Sequence, residues 1–362
     1  MELIIMEVNS RKKVILLDNE MRIVKPVHDF LMFQRQKACV DNTIIANGRD
    51  LKVFWEFLNS YGYSYEQIMP RGILDFIDYL RQENYGNQMS SFYAESSRTS
   101  KTINRILSTV HGFYKFCTTF QAINNPIIME DVTRPYDMFK SLLHHARTDN
   151  RTKKSIFKVK ESKHIIRLIT DDEAKTILDA LPTWRDKLLF KVLYLTGARI
   201  QEALDLQIEQ IPFPDSSSRI GIFKNIKSKG KRRDLYVPMK LIDELDEFIL
   251  AERSRVITEH GCIFITQQKH NEGHPLTYRG IYEVFRRVIK KSGIFFTFHD
   301  ARHSFITKLA ESGMDISVIR IIAGHAHIST TQLYTHLSDR YLEQSLSKYW
   351  QGTPIAGGGC DD

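Results

Sequence analysis

The chain has 362 residues, 42% of them hydrophobic, and carries a formal charge of +8; that length serves two domains with a core each, and that charge favours a polyanionic partner. Its four cysteines (Cys39, Cys117, Cys262 and Cys360) lie far apart with no Cys-x-x-Cys pair, which argues against a disulfide framework or zinc knuckle and for a reducing cytoplasm. No apolar run approaches the ~20 residues that span a bilayer, and the opening residues lack the order of a signal peptide, so a soluble cytoplasmic protein is expected.

Residues 1–24 read as an amino-terminal β-like extension. Lys13 to Leu17 and Met21 to Val24 are rich in β-formers, and Asp18-Asn19-Glu20 makes a polar turn between them, which predicts a small hairpin. Either a cap on the first domain or an added DNA contact fits it. Residues 25–130 then turn helical. Val27, Phe30, Leu31 and Phe33 mark one apolar face; Leu51, Phe54, Trp55 and Leu58 a second; Ile73, Phe76, Ile77 and Leu80 a third. After a serine-rich break from Gln88 to Ser100, a fourth helix carries Ile103, Ile106, Leu107, Val110, Phe113, Tyr114 and Phe116. The aromatics read as core. Arg98, Lys101 and Arg105 crowd the start of that fourth helix, where free N–H groups favour phosphate; a solvated face is the equal alternative.

Residues 131–167 form a basic linker that includes Lys153 and Lys154, suited to tracking a nucleic-acid backbone. A second domain is predicted over residues 168–350. Thr170 and Glu173 stand at capping-box spacing, and an apolar segment from Leu188 to Leu195 leads to Thr196-Gly197-Ala198-Arg199, where Gly197 breaks the helix before another from Gln201 to Leu206. Ile220 to Phe223, extending to Ile226, and Leu235 to Pro238 read as strands around a basic loop, Lys227 to Arg233, that includes Lys231 and Arg232. Helices follow near Leu241–Leu250 and Thr277–Lys290, the latter carrying Arg286 and Arg287 towards a backbone. Asp315 to Ala323, a turn at Gly324, and Ser329 to His336 have the pattern of a helix-turn-helix. Ser338 to Trp350 makes a short amphipathic helix, and residues 351–362 read as a disordered tail.

The chemistry concentrates in Arg199, His299, Arg302, His325 and Tyr334, with a lysine from the basic loop. Arginine forks match the non-bridging oxygens of a phosphate. Histidine moves protons near neutral pH, and a tyrosine hydroxyl serves as a covalent nucleophile. No carboxylate cluster for a divalent metal stands beside them. The set points to phosphoryl transfer on a phosphodiester with neither metal nor cofactor. His299 and His303, four residues apart, have the spacing of zinc ligands, but the glutamate such a motif needs is Asp300 here.

Three ordered boxes carry a family resemblance: Thr196-Gly-Ala-Arg199-Ile-Gln-Glu202, His299-Asp-Ala-Arg302-His303, and Gly324-His325 followed by Tyr334-Thr-His336. The chain resembles the tyrosine recombinases of the phage-integrase family. The resemblance implies a mainly α protein with a small antiparallel β-sheet, a two-domain clamp on double-stranded DNA. It implies a site-specific recombinase, integrase or transposase that cuts and rejoins strands through a 3′-phosphotyrosyl intermediate without metal or ATP. In it Tyr334 attacks, Arg199 and Arg302 neutralise charge on the phosphate, His299 assists at the tyrosine, and His325 hydrogen-bonds the phosphate. Lys229 protonates the leaving oxygen, with Lys231 and Lys227 as alternatives. A specific crossover site, a homo-oligomer (a tetramer on DNA) and helper recombination proteins are the implied partners. The added amino-terminal segment favours a transposon's recombinase over a chromosome-dimer resolvase. Ala301 and Ala323 depart from the leucines usual there, both at packing positions. A DNA-binding regulator using the helix-turn-helix-like segment, or a type IB topoisomerase, are the competing readings.

Overall fold

The computed structural model describes residues 1–8, 11–82, 98–132, 152–161, 166–215, 217–228, 231–267 and 270–324. The chain divides into two compact units, Met1–Lys163 and His164–Asp362.

In the first unit, β1 (Glu2–Val8) pairs antiparallel with β2 (Arg11–Leu17), Glu2 opposite Leu17 and Val8 opposite Arg11. The hairpin therefore lies earlier than the sequence predicts. Alternation along β2 sends Val14 and Leu16 into the core. Beyond it the Asp18 carboxylate accepts the backbone N–H groups of Glu20 and Arg22, each at 2.9 Å. That turn leaves the expected second arm, Met21 to Val24, with one isolated bridge, Leu17 to Ile23.

Four helices follow: α1 (Lys25–Gln36), α2 (Asp41–Tyr61), α3 (Pro70–Gln82) and α4 (Ser100–Gln121). Their apolar stripes meet in an aromatic core, with Phe54 5.0 Å from Phe76 and Trp55 5.3 Å from Phe113, ring centre to ring centre. The buried Tyr114 hydroxyl donates to the Tyr65 carbonyl at 2.9 Å. Phe54, Phe57, Phe76, Phe113 and Tyr114 are all fully buried, so these rings support the fold rather than stack on a ligand.

Part of the stretch expected to be a linker is built into this unit. The strand β3 (Met129–Val132) pairs antiparallel with β4 (Thr152–Ser155). Phe157, just beyond, is buried in the helical core. Asn104 of α4 accepts the Val159 N–H and donates to the Val159 carbonyl, both at 2.9 Å. Ile127, just before this stretch, and Phe157, within it, are buried on the core, which the charge pattern alone concealed.

The second unit holds α5 (Asp171–Ala180), α6 (Trp184–Thr196), α7 (Ile200–Leu204), β5 (Ile220–Ser228), β6 (Lys231–Pro238), α8 (Met239–Ala251), α9 (Tyr278–Ser292), α10 (Phe298–Glu311) and α11 (Ile316–Ala323). Thr170 and Glu173 close the predicted capping box on α5. Leu188, Leu189, Phe190, Val192 and Leu193 make α6 apolar nearly all round, the composition of a central helix. A smaller cluster of Ile306, Ala310, Ile319 and Ala323 joins α10 to α11.

The basic loop is shorter than predicted. Lys227, Ser228, Lys231, Arg232 and Arg233 are strand residues, paired Lys227 to Arg232 and Ser228 to Lys231, and only residues 229 and 230 fall between β5 and β6. The second arm of the helix-turn-helix pattern, the terminal helix and the tail lie outside the described residues. Among the described residues, no helix is long and apolar enough to cross a membrane.

Candidate active site

The site grows from the break between α6 and α7. Gly197 ends α6 in the left-handed region at φ 61°, and a Cβ there would fall 2.4 Å from Cδ1 of Phe305. The turn therefore needs glycine twice over. It delivers Arg199 to the start of α7 with its side chain still 25% exposed.

One buried carboxylate organises the arginines. Glu202, with its side chain 2% exposed, accepts the Arg199 backbone N–H at 2.8 Å and Arg199 Nη1 at 2.7 Å. It also takes Arg233 Nη2 at 2.5 Å and Nε at 3.3 Å, so each arginine approaches with a pair of donors. Arg199 Nη1 donates further to Ser228 Oγ at 2.8 Å, which ties it to the end of β5. Burial alone pushes the Glu202 carboxyl up; the hydrogen bond and charge of Arg233, with the contacts from Ser228 and Arg199, outweigh it and hold the pKa at about 2. Glu202 is ionised at any pH where the protein works.

Arg302 enters from the second turn of α10. Thr297 and Asp300 cap that helix reciprocally, Thr297 Oγ1 taking the Asp300 N–H and Asp300 Oδ2 the Thr297 N–H. Arg302 is buried; its Nη1 donates to the Gly197 carbonyl at 2.6 Å and its Nη2 to the Ala323 carbonyl. It thus holds the Arg199 turn and the end of α11 together. His299, at the start of α10, is exposed beside a cavity of about 410 Å³ lined also by Tyr278, Tyr282, Phe285 and Phe298. Its ring centre lies 6.3 Å from that of His303.

Of the predicted catalytic residues, Arg199, Arg302 and His299 are thereby placed in one unit; Lys229, His325 and Tyr334 lie outside the described residues. Arg233 was not singled out by sequence. Strand alternation carries the signal that would have found it, because Arg233 shares the inward face of β6 with Leu235 and Val237.

The candidate backbone contacts divide between the units. In the first, Lys101, Arg105, Lys153 and Lys154, far apart in sequence, line one cleft of about 510 Å³ together with His111 and Lys158. Arg105 is also held by the buried Asp50, at 2.5 Å. Arg98 does not line that cleft; it is half-buried, and burial pushes its pKa down. In the second unit Lys231, Arg232, Arg286 and Arg287 are exposed, Arg286 3.6 Å from Glu283.

The fold is that of DNA strand-transferring recombinases. The XerH site-specific recombinase bound to palindromic difH substrate superposes with a TM-score of 0.62 at 20% identity, covering 92% of this chain and 91% of that one. The Tn1549 transposon integrase in complex with circular intermediate DNA superposes at 0.61 and 17% identity, covering 88% and 98%. Residues 167–340 match the phage integrase family and residues 28–119 its N-terminal SAM-like domain. Transposase A from transposon Tn554 of Staphylococcus aureus is 30% identical over 341 residues, 92% of this chain and 93% of that protein. Tyrosine recombinase XerD of Staphylococcus haemolyticus is 26% identical over 328 residues, 89% and 97% of the two. The chain belongs to the phage integrase family of tyrosine recombinases.

Proposed function

We propose that this chain is the recombinase of a mobile element, binding duplex DNA at the element's ends and exchanging strands through Tyr334. The Tyr334 hydroxyl oxygen attacks the scissile phosphorus, forming a 3′-phosphotyrosyl bond as the bond to the 5′-oxygen breaks. His299 takes up the tyrosine proton, and Lys229 supplies one to the leaving oxygen. Attack by the 5′-hydroxyl of another strand reverses these steps and restores Tyr334. One phosphodiester bond is made for each broken, so no nucleotide is consumed. Arg199 and Arg302 face the charge building on the non-bridging oxygens, with His325 as a further donor; losing one such group costs roughly 10²–10³-fold in rate.

What supports this reading is the pair of guanidiniums fixed around one glycine turn: Arg302 on the carbonyl of Gly197, and Arg199 held by Glu202 two residues on. Such donors need no reorganisation as charge develops. The two neighbour structures named as DNA complexes, and the 30% identity to a transposase, point the same way. The basic cleft of the first unit and the exposed cations of the second supply phosphate contacts, so affinity falls steeply with salt. Within this reading residues 25–130 form the core-binding part and 168–350 the catalytic part, acting as a tetramer on two crossover sites.

Suicide DNA substrates, nicked near crossover sites taken from the flanks of the gene, test it on denaturing gels with chelator present. A slow-migrating covalent adduct is expected from the wild type and none from Tyr334→Phe. An adduct that survives the substitution moves the nucleophile elsewhere. Tight DNA binding with no adduct from either protein shifts the reading to a regulator.

A further inference from the structure

The geometry points to Arg233 as a positioning residue for strand transfer: it clamps the β5–β6 hairpin to the end of α11 and locks the carboxylate that aims Arg199. This inference rests on the catalytic reading above. Three observations converge on one side chain. Arg233 donates Nη2 and Nε to Glu202, at 2.5 and 3.3 Å, from β6. Its Nη1 donates to the Ile322 carbonyl at 2.6 Å, in the last turn of α11, where a cation also suits the helix dipole. Its methylene stem lies flat against Gly324: a Cβ at Gly324 would fall 2.6 Å from Arg233 Cδ, and the side chain is 9% exposed.

The consequence is mechanical. Residue 229 follows β5 directly, and residue 325 follows Gly324 directly, so Arg233 fastens the two supports from which a lysine and a histidine of the proposed site depart. Through Glu202 the same guanidinium fixes Arg199, which keeps its own bond to Ser228 on that hairpin. Arg233 touches no phosphate in this scheme; it acts through Arg199 and through the α11 turn. A lysine in its place keeps the charge beside Glu202 but has no fork to reach Ile322 at the same time.

The test compares wild type, Arg233→Gln and Arg233→Lys in the full chain on two suicide substrates, one with a normal scissile phosphate and one with a neutral methylphosphonate there. With DNA saturating, Arg233→Gln is expected to form adduct about 100-fold more slowly on the phosphate. Because the methylphosphonate lacks the charge that Arg199 neutralises, the deficit there should shrink to under about tenfold. Arg233→Lys should recover about tenfold of the loss on the phosphate. DNA affinity by gel shift should stay within about threefold of wild type, since no backbone contact is removed. Wild-type rates in Arg233→Gln, or an equal deficit on both substrates, would overturn the positioning role. A Tyr334-dependent adduct from the wild type secures the underlying reading independently; its absence would remove that reading and this inference with it.

Discussion

The two units bury different things. The first packs rings against rings, and its lysines stand in solvent: Lys101, Lys153, Lys154 and Lys158 are all exposed. Among the described residues, its buried polar side chains apart from the rings are Asp50 and Thr109, bonded to each other at 2.8 Å, and Arg105, the cation paired with that carboxylate, is itself exposed. The second unit buries ions: Arg185 on Asp186, Glu202 between Arg199 and Arg233, and Arg302 on two carbonyls. A buried ion held by several partners is costly to misplace, whereas an exposed lysine is mobile and screened. Tethering a polyanion asks only for the latter. Stabilising a particular phosphate in its transition state asks for the former.

Substitutions can break this contrast. The largest effect is expected at Arg302. Truncation to alanine removes a proposed phosphate donor and strips the Gly197 and Ala323 carbonyls of their donors. Adduct formation on the suicide substrate should fall by about 10³-fold or more, while binding of DNA by the first unit's cleft persists.

Glu202→Gln comes next. It leaves two arginines facing a neutral group, and a loss of about 3 kcal/mol in urea unfolding is expected. Acid sharpens the point. The carboxyl is held at about 2 in the folded chain against an ordinary value of 4.5. Its folded pKa lies below the unfolded one, so its contribution is fully present above about 4.5 and drains as pH falls towards about 2. Unfolding midpoints measured across that window should converge for wild type and Glu202→Gln; parallel curves would remove Glu202 from the account.

The smallest effect belongs to the first unit. Replacing Lys153 and Lys154 together by alanine should lower the slope of log affinity against log salt by about 2. Covalent adduct at saturating DNA should be unchanged. A double variant that binds normally but cleaves poorly would erase the division of labour between the units.

Much of this fold was legible in the sequence because helical periodicity is a strong signal over long segments. The faces of α1 to α4, the Thr170–Glu173 capping box and the glycine break before Arg199 all follow from spacing and residue type. Short strands were harder. The extended character of residues 1–24 was evident, but partner choice depended on Val14 and Leu16 finding the helical core, a tertiary fact. The run of cations from Lys227 to Arg233 concealed strand residues, because charge reads as a surface loop until alternation with Leu235 and Val237 is weighed. The same bias treated residues 131–167 as linker, although Phe157 anchors on the core. Arg199, Arg302 and His299 were visible by motif, whereas the service Arg233 gives to Glu202 required three dimensions.

Gly324 and Arg233 also set a rule for how such chains can diverge. The glycine holds φ 63°, and its missing side chain is the space the arginine stem occupies. A lineage that acquires a methyl group at position 324 loses the seat for the arginine; one that shortens residue 233 opens a gap beneath the turn. Neither change is neutral alone, so drift at one position waits on the other. Among descendants of this sequence the two sites should be inherited as a pair.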